Sequence, residues 1–276
     1  MIRERAPAKV NLVLQVGPRR ADGLHEICSL FASLELADDL QLSASETGND
    51  LVICEGVHGN NLVETALRLF RDQVDPGLPP LQVEIDKRIP VAGGMGGGSA
   101  DAAAALRAAN ELAGRPLDLV ELRDLASGIG ADVPSQVEPA HALVTGAGEV
   151  VEPLALPAMA LVLLPSRRGL RTADVYAEAD RLPSTREHLE PGRLRDLAGG
   201  SVEQLAGALE NDLQPAALSL RPKLQQGIDS LIETGALGAG LSGSGPTLFG
   251  VFASHEDAER AAAAMDGAIA TRLRAS

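Results

Sequence analysis

Residues 90–106 read PVAGGMGGGSADAAAAL, and five of the six residues 93–98 are glycine. Glycine lets a backbone take positive φ and approach a ligand closely. The alanine-rich stretch that follows is a strong helix former, so its first N–H groups and the positive end of its dipole face back toward the glycines. Together these suit an anion, above all a chain of phosphates. A Walker loop is excluded, because Gly98 stands where that motif places a lysine before Ser99. A dinucleotide fingerprint is excluded as well, since no βαβ pattern surrounds the segment. Ser99 fits two roles, N-cap of the helix or contact to phosphate or magnesium. Asp101 falls in the first helical turn, where the dipole favours a carboxylate whatever its function.

Three other places carry chemically capable residues. Asp132 sits in GADVP, residues 130–134, where Gly130 and Pro134 fix its loop; a carboxylate there can accept a hydroxyl proton, and the plainer reading is a cap or surface residue. Lys9 lies in the apolar run APAKVNL, with Asn11 on the same face of the strand. It reads either as a snorkelling edge lysine or as a cation that steadies a migrating phosphoryl group. SGSGPT, residues 242–247, reads as a tight turn or as a nest of N–H groups for an anion. His25 and Phe31 flank the next strand and read locally as a loop histidine and a core aromatic. The two cysteines, Cys28 and Cys54, lie near His25 and His58, but the spacing matches no structural zinc pattern.

These residues need a scaffold, and the pattern of apolar positions predicts one. Strands are expected over residues 9–16, 27–36, 39–43, 51–54, 81–85, 160–164 and 248–252, with two more joined by a glycine turn within 141–154. Residues 17–25 read as a polar turn. Helices are expected over 61–73, capped by Asn60 or Asn61, and over 100–112, 117–127, 202–209, 222–234 and 257–265. Residues 181–200 are polar and rich in breakers, so they read as an exposed excursion. The class is α+β. A junction at residues 153–157 divides the chain into domains 1–153 and 154–276.

Composition narrows the partners. The 276 residues are 45% apolar and 22% charged, as in globular proteins, while only 2% are aromatic, so the core must rest on aliphatic residues. A formal net charge of −14 without any basic run disfavours nucleic acid and anionic lipid. No stretch reaches the roughly 20 apolar residues of a membrane helix, and the first residues lack a continuous apolar signal segment. A cytoplasmic location is the expectation.

Together, the segments at residues 7–14, 90–103 and 240–247 resemble, in order, the three motifs of the GHMP kinase superfamily, which includes galactokinase and the homoserine, mevalonate and phosphomevalonate kinases. PAKVNLVLQVGPRRADGLHE, IDKRIPVAGGMGGGSADAA and GADVP are similar to the branch that phosphorylates 4-diphosphocytidyl-2-C-methyl-D-erythritol on the methylerythritol phosphate route to isoprenoids, and the match runs from Pro7 to about Phe252. The resemblance implies a two-domain α+β fold with mixed and antiparallel sheets, helical layers and an active site in the cleft between domains. It implies ATP and Mg²⁺ as cofactors and a small-molecule substrate carrying cytidine diphosphate, with no nucleic acid or membrane partner.

The same resemblance implies roles. Asp132 would take the proton from the substrate hydroxyl, and Lys9 beside it would neutralise developing charge. Val91, Ala92, Gly93, Gly94, Met95, Gly96, Gly97, Gly98, Ser99, Ala100 and Asp101 would cradle the ATP phosphates. Asn11 would lie near the reacting hydroxyl, His25 would hydrogen-bond the cytosine edge, and Phe31 would pack near that base. Tyr176 would stack on the cytosine, Thr172 would line the same pocket, and Ser242, Gly243 and Ser244 would contact substrate. Two departures bear on the alcohol side. Leu24 replaces a tyrosine of the branch, removing one wall around a base whose stacking is worth about 1–3 kcal/mol, and Ser135 and Gln136 replace two phenylalanines. Competing readings are another superfamily kinase acting on homoserine, mevalonate or phosphomevalonate, and a nonenzymatic nucleotide or sugar sensor, which would need neither Lys9 nor Asp132.

Overall fold

The computed structural model describes residues 1–57, 61–91, 93–166, 168–182 and 184–275. In chain order they form β1 (Ile2–Arg19), β2 (His25–Ala44), β3 (Leu51–Cys54), α1 (Leu62–Gln73), β4 (Leu81–Asp86), α2 (Gly97–Leu112), α3 (Leu119–Ser127) and α4 (Val133–Val137). There follow β5 (Ala142–Gly146), β6 (Val150–Pro153), β7 (Ala160–Leu164), α5 (Thr172–Arg181), α6 (Pro191–Ala198), α7 (Val202–Gly207) and β8 (Glu210–Asn211). The chain closes with α8 (Gln214–Leu220), α9 (Leu224–Glu233), β9 (Gly238–Leu241), β10 (Leu248–Phe252), α10 (His255–Ala263) and β11 (Ile269–Arg272). Residues cluster into two compact units, and β1 and β2 are long enough to contribute to both.

One unit gathers Met1–Ala8, Leu36–Val91 and Gly96–Pro139. Its strands lie in the order β3, β4, β2, β1, with β3 parallel to β4 and β4 antiparallel to β2. Helices α1 to α4 supply the other layer. Ala102, Ala103, Ala104, Ala105, Ala108 and Ala109 of α2 are all fully buried. A helix that is apolar around its circumference is packed on all sides, and the small side chains let α1 and α4 lie close against it. Local signals set the helix starts: Asn61 accepts from the Val63 N–H, and Asp118 forms a capping box with Glu121.

The other unit gathers Lys9–Glu35, Ala92–Met95 and Ala140–Ser276. One of its sheets runs β8, β1, β2, β5, β6, in which β8 is parallel to β1 and the β2–β5 and β5–β6 pairs are antiparallel. A second sheet, β11–β7–β10–β9, is antiparallel throughout. Leu14, Phe31, Val162, Leu213, Leu231, Leu248 and Phe252 belong to a single apolar cluster in this unit. The architecture is therefore α+β with mixed and antiparallel sheets.

Several sequence expectations need correction. The runs 27–36 and 39–43 are one strand, because Asp38 is tolerated fully buried by accepting hydrogen bonds from Arg88 N, Ile89 N and Lys87 Nζ. The polar segment 17–25 is a turn only from Arg20 to Leu24; β1 continues through Arg19. Helix α2 begins at Gly97, not Ala100, so Ser99 lies inside it and is not its N-cap. The cap is Gly96 in the left-handed region at φ 68°, where a glycine costs nothing sterically. Asp101 accordingly lies beyond the first turn and is buried. Residues 181–200 are no irregular excursion. They hold α6, started by Pro191 and anchored by the fully buried Leu194, and Arg186 makes a bidentate pair with Asp212. Asn60, His58 and Ala92 lie outside the described residues.

Candidate active site

Lys9 sits on β1 with both its side chain and that of Asn11 almost fully buried. A buried ammonium needs partners. Its Nζ donates to Asn11 Oδ1 at 2.8 Å and lies 4.2 Å from the centre of the Phe31 ring, a cation–π distance. Asn11 Nδ2 donates to Ser29 Oγ at 2.8 Å, and Ser29 Oγ donates to the Val13 carbonyl at 2.6 Å. The relay runs in one direction, which fixes the Asn11 amide and aims its oxygen at the lysine.

Two glycine-rich segments that are far apart in sequence meet at this lysine. The Lys9 N–H donates to the Met95 carbonyl at 3.0 Å, and the Thr247 N–H donates to the Gly93 carbonyl at 3.1 Å. Ser242 Oγ donates to the Gly94 carbonyl at 2.9 Å. Gly94 has φ 76°, and a Cβ there would lie 2.6 Å from the Ser242 carbonyl oxygen and 2.9 Å from that of Gly245. Only glycine permits that approach. Gly243 passes Asn11 closely too, its carbonyl held by Asn211 Nδ2 at 2.8 Å, and Ser244 Oγ lies 3.0 Å from Thr172 Oγ1. Lys9, Asn11, Phe31, the 93–95 segment and Ser242 to Ser244 thus form one group, with Thr172 at its edge.

His25 and Tyr176 form a second pair. The ring centroids are 5.3 Å apart at a 34° tilt, and both His25 nitrogens face acceptors, Gly17 O at 3.0 Å from Nδ1 and Asp180 Oδ1 at 3.3 Å from Nε2. Leu24, next to it, is 52% exposed. Cys28 is buried, and burial pushes its thiol up to about 11, so it is a thiol and not a nucleophile at neutral pH.

The remaining expected residues belong to the other unit. The N-terminus of α2 has no side-chain cap, so the first-turn N–H groups of Gly97, Gly98 and Ser99 receive no side-chain oxygen from Gly96. That leaves donors aimed where an anion would sit. Val91, ahead of the glycines, is exposed, and Ala100 is buried in the helix. Asp132 occupies the N-cap position of α4 without using its carboxylate to cap, while its carbonyl accepts from Ser135 Oγ at 2.8 Å. Ser135 and Gln136 are both buried, in place of the expected aromatics.

A buried charge cluster has no signature in the sequence. Lys87 Nζ lies 2.6 Å from Asp38 Oδ2 and 2.6 Å from Asp101 Oδ2. Lys87 is in the motif IDKRIP, yet neither spacing nor periodicity links it to Asp38, and only chain folding makes them neighbours. Asn211 and Ser29 escaped notice for the same reason.

The family described as GHMP kinases N terminal domain matches residues 61–138, and GHMP kinases C terminal matches residues 194–270, together more than half of the chain. A protein of Nocardia farcinica called 4-diphosphocytidyl-2-C-methyl-D-erythritol kinase is 44% identical over 96% of this chain and 89% of its own. The chain belongs to the 4-diphosphocytidyl-2-C-methyl-D-erythritol kinase family, within the GHMP kinases. A member of that family from Mycobacterium tuberculosis is 39% identical over 96% of this chain and 86% of its own. A solved structure of 4-(cytidine 5'-diphospho)-2C-methyl-D-erythritol kinase superposes with a TM-score of 0.82 at 32% identity, covering 100% of both chains. Homoserine kinase from Cytophaga hutchinsonii shares the fold, with a TM-score of 0.72 at 19% identity over 99% of this chain and 94% of its own. Among the described residues, no helix is long and apolar enough to cross a membrane.

Proposed function

We propose that this chain transfers the γ-phosphoryl group of ATP to the 2-hydroxyl of 4-diphosphocytidyl-2-C-methyl-D-erythritol, the compound for which its relatives are named as kinases. The observation that carries the reading is the buried Lys9–Asn11 pair, whose backbone N–H groups donate to the Met95 carbonyl and to Ser242 Oγ in the two glycine-rich segments. A nucleotide sensor would have no use for an ammonium held that way, whereas phosphoryl transfer needs a fixed cation where negative charge migrates.

In the proposed reaction the substrate hydroxyl oxygen forms a bond to the γ-phosphorus as the bond to the β-phosphate oxygen breaks, and ADP leaves. Asp132 takes the hydroxyl proton, and Lys9 stabilises the transferred charge, its own position fixed by Asn11 and Phe31. The glycines and the uncapped N-terminus of α2 hold the phosphates, from Gly93 through Asp101 with Val91 and Ala92 at the loop's start. Among the described residues, no group of three or more His, Cys, Asp or Glu could hold a metal. Ser99, in the first turn of α2, would be able to join the ligands of a Mg²⁺ ion, which would neutralise phosphate charge. His25 and Tyr176 receive the cytosine, and Thr172 with Ser242, Gly243 and Ser244 lines the substrate side.

The test is an ADP-release assay across alcohols. Turnover is expected with the cytidylyl substrate and not with the same sugar phosphate lacking cytidine. Turnover of homoserine or mevalonate together with failure of the cytidylyl substrate would overturn the reading.

A further inference from the structure

The His25 ring is held on three sides. Nδ1 lies 3.0 Å from the Gly17 carbonyl oxygen, which can only accept, so Nδ1 carries the hydrogen. The opposite edge, Nε2, lies 3.3 Å from Asp180 Oδ1, an ion pair when the ring carries a hydrogen on both nitrogens, and Tyr176 covers a face with ring centroids 5.3 Å apart. Tyr176 and Asp180 both stand on α5, four residues apart and hence on the same side of the helix. One turn of α5 therefore grips the ring by face and far edge, while β1 grips the near edge. A histidine that only filled space would need no carboxylate from a neighbouring helix at its remaining nitrogen.

We propose that Asp180 is a positioning residue for the cytidine end of the substrate: it holds the His25 ring against Tyr176 and so fixes the aromatic surface that receives the base. The inference rests on the proposed assignment of His25 and Tyr176 to cytosine. It also bears on Leu24, where the resemblance leads one to expect a tyrosine and where the side chain is aliphatic and 52% exposed. With one aromatic wall missing, order in the remaining pair matters more, because a ring already fixed loses less freedom when the base arrives. Asp180 acts through His25 and needs no contact with the substrate itself. Its side chain is 42% exposed, so replacing it opens no hole in the core.

The experiment is calorimetric titration of CDP and, separately, of ATP into the wild-type chain, Asp180→Ala and Asp180→Asn, alongside steady-state kinetics. Asp180→Ala is expected to weaken CDP binding about tenfold, the scale of one charge-assisted hydrogen bond, and to raise the KM of the cytidylyl substrate in parallel. ATP affinity and kcat should stay within about twofold of wild type, the signature of lost ground-state binding. Asp180→Asn keeps an acceptor oxygen and is expected to recover most of the CDP affinity. Unchanged CDP affinity in Asp180→Ala overturns the inference, as does an equal loss of ATP affinity, which would mark a general disturbance. Wild-type protein that binds ATP but not CDP would instead sink the cytidine reading, and this inference with it.

Discussion

Lys87 Nζ and Asp101 Oδ2 meet at 2.6 Å, one residue just ahead of the glycine loop and the other on the helix that leaves it. The same ammonium reaches Asp38 at 2.6 Å. Burial works against the Lys87 charge, yet the two carboxylates hold its pKa above the ordinary lysine value; burial pushes Asp101 up to about 7, against the pull of Lys87. The two shifts ask opposite things of the pair. One ammonium between two carboxylates leaves a negative charge over. Asp38 accepts three hydrogen bonds while Asp101 Oδ1 has no hydrogen-bond partner among the described residues, so the surplus falls on Asp101.

A pH dependence of stability follows. The unfolded chain binds the Asp101 proton only in the ordinary carboxylate range, whereas the folded chain holds it up to about 7. Between those limits the folded state carries more protons, so its stability falls as pH rises. The contribution is complete below the unfolded value and lost by the time pH passes the folded one. Urea unfolding of wild type and Asp101→Asn across that window is expected to show a shallower decline in the variant; parallel curves would refute the assignment.

Gly94→Ala tests the junction of the glycine segments. At φ 76° the new Cβ would meet the Ser242 carbonyl oxygen at 2.6 Å, so strain and a backbone shift are both forced. A loss of about 1–3 kcal/mol is expected in chemical denaturation, with weakened ATP binding. Stability and affinity equal to wild type would mean that the two segments do not pack as described.

Lys9→Met and Asp132→Asn address the proposed chemistry. Lys9→Met should lower kcat by about a hundredfold or more, the usual effect of removing a fixed donor to developing charge. Asp132→Asn should abolish turnover while ATP still binds in a calorimetric titration. Substantial residual turnover in Asp132→Asn removes the aspartate from its role.

Arg71 provides a contrast, since it is none of the residues proposed for the chemistry. It pairs with both oxygens of Asp50, at 2.5 and 2.7 Å, and donates to the carbonyls of Leu78 and Pro79. Arg71→Ala is expected to destabilise by about 1.5–3 kcal/mol, because it strands a half-buried carboxylate. Its kcat and KM values should match wild type when measured below the melting transition; a changed KM for ATP would argue that the strain reaches the loop.

Much of the scaffold was legible in the residues. β3 and β10 fall on the expected positions, and α1 begins where Asn61 can cap it. These elements declare themselves through local periodicity and capping chemistry, which tertiary packing then reinforces. The misreadings have a common cause. Polar residues at 17–19 and Asp38 suggested breaks in strands that are continuous, because β1 runs on through its pairing and Asp38 has three donors to satisfy it. Residues 181–200 looked irregular because their order depends on Arg186 finding Asp212 and on Leu194 finding the core.

By itself the sequence determined the family and the glycine loop ahead of α2, and it marked the candidates proposed for phosphate, proton and base, because each is written in contiguous motifs whose spacing is local. Only the tertiary structure decided that the Lys9 ammonium is held by Asn11 and lies over the Phe31 ring, that Asp38, Lys87 and Asp101 share one buried charge cluster, and that Asp180 reaches His25. Those partners come from distant parts of the chain, and burial alone sets how strongly their charges and hydrogen bonds act on one another.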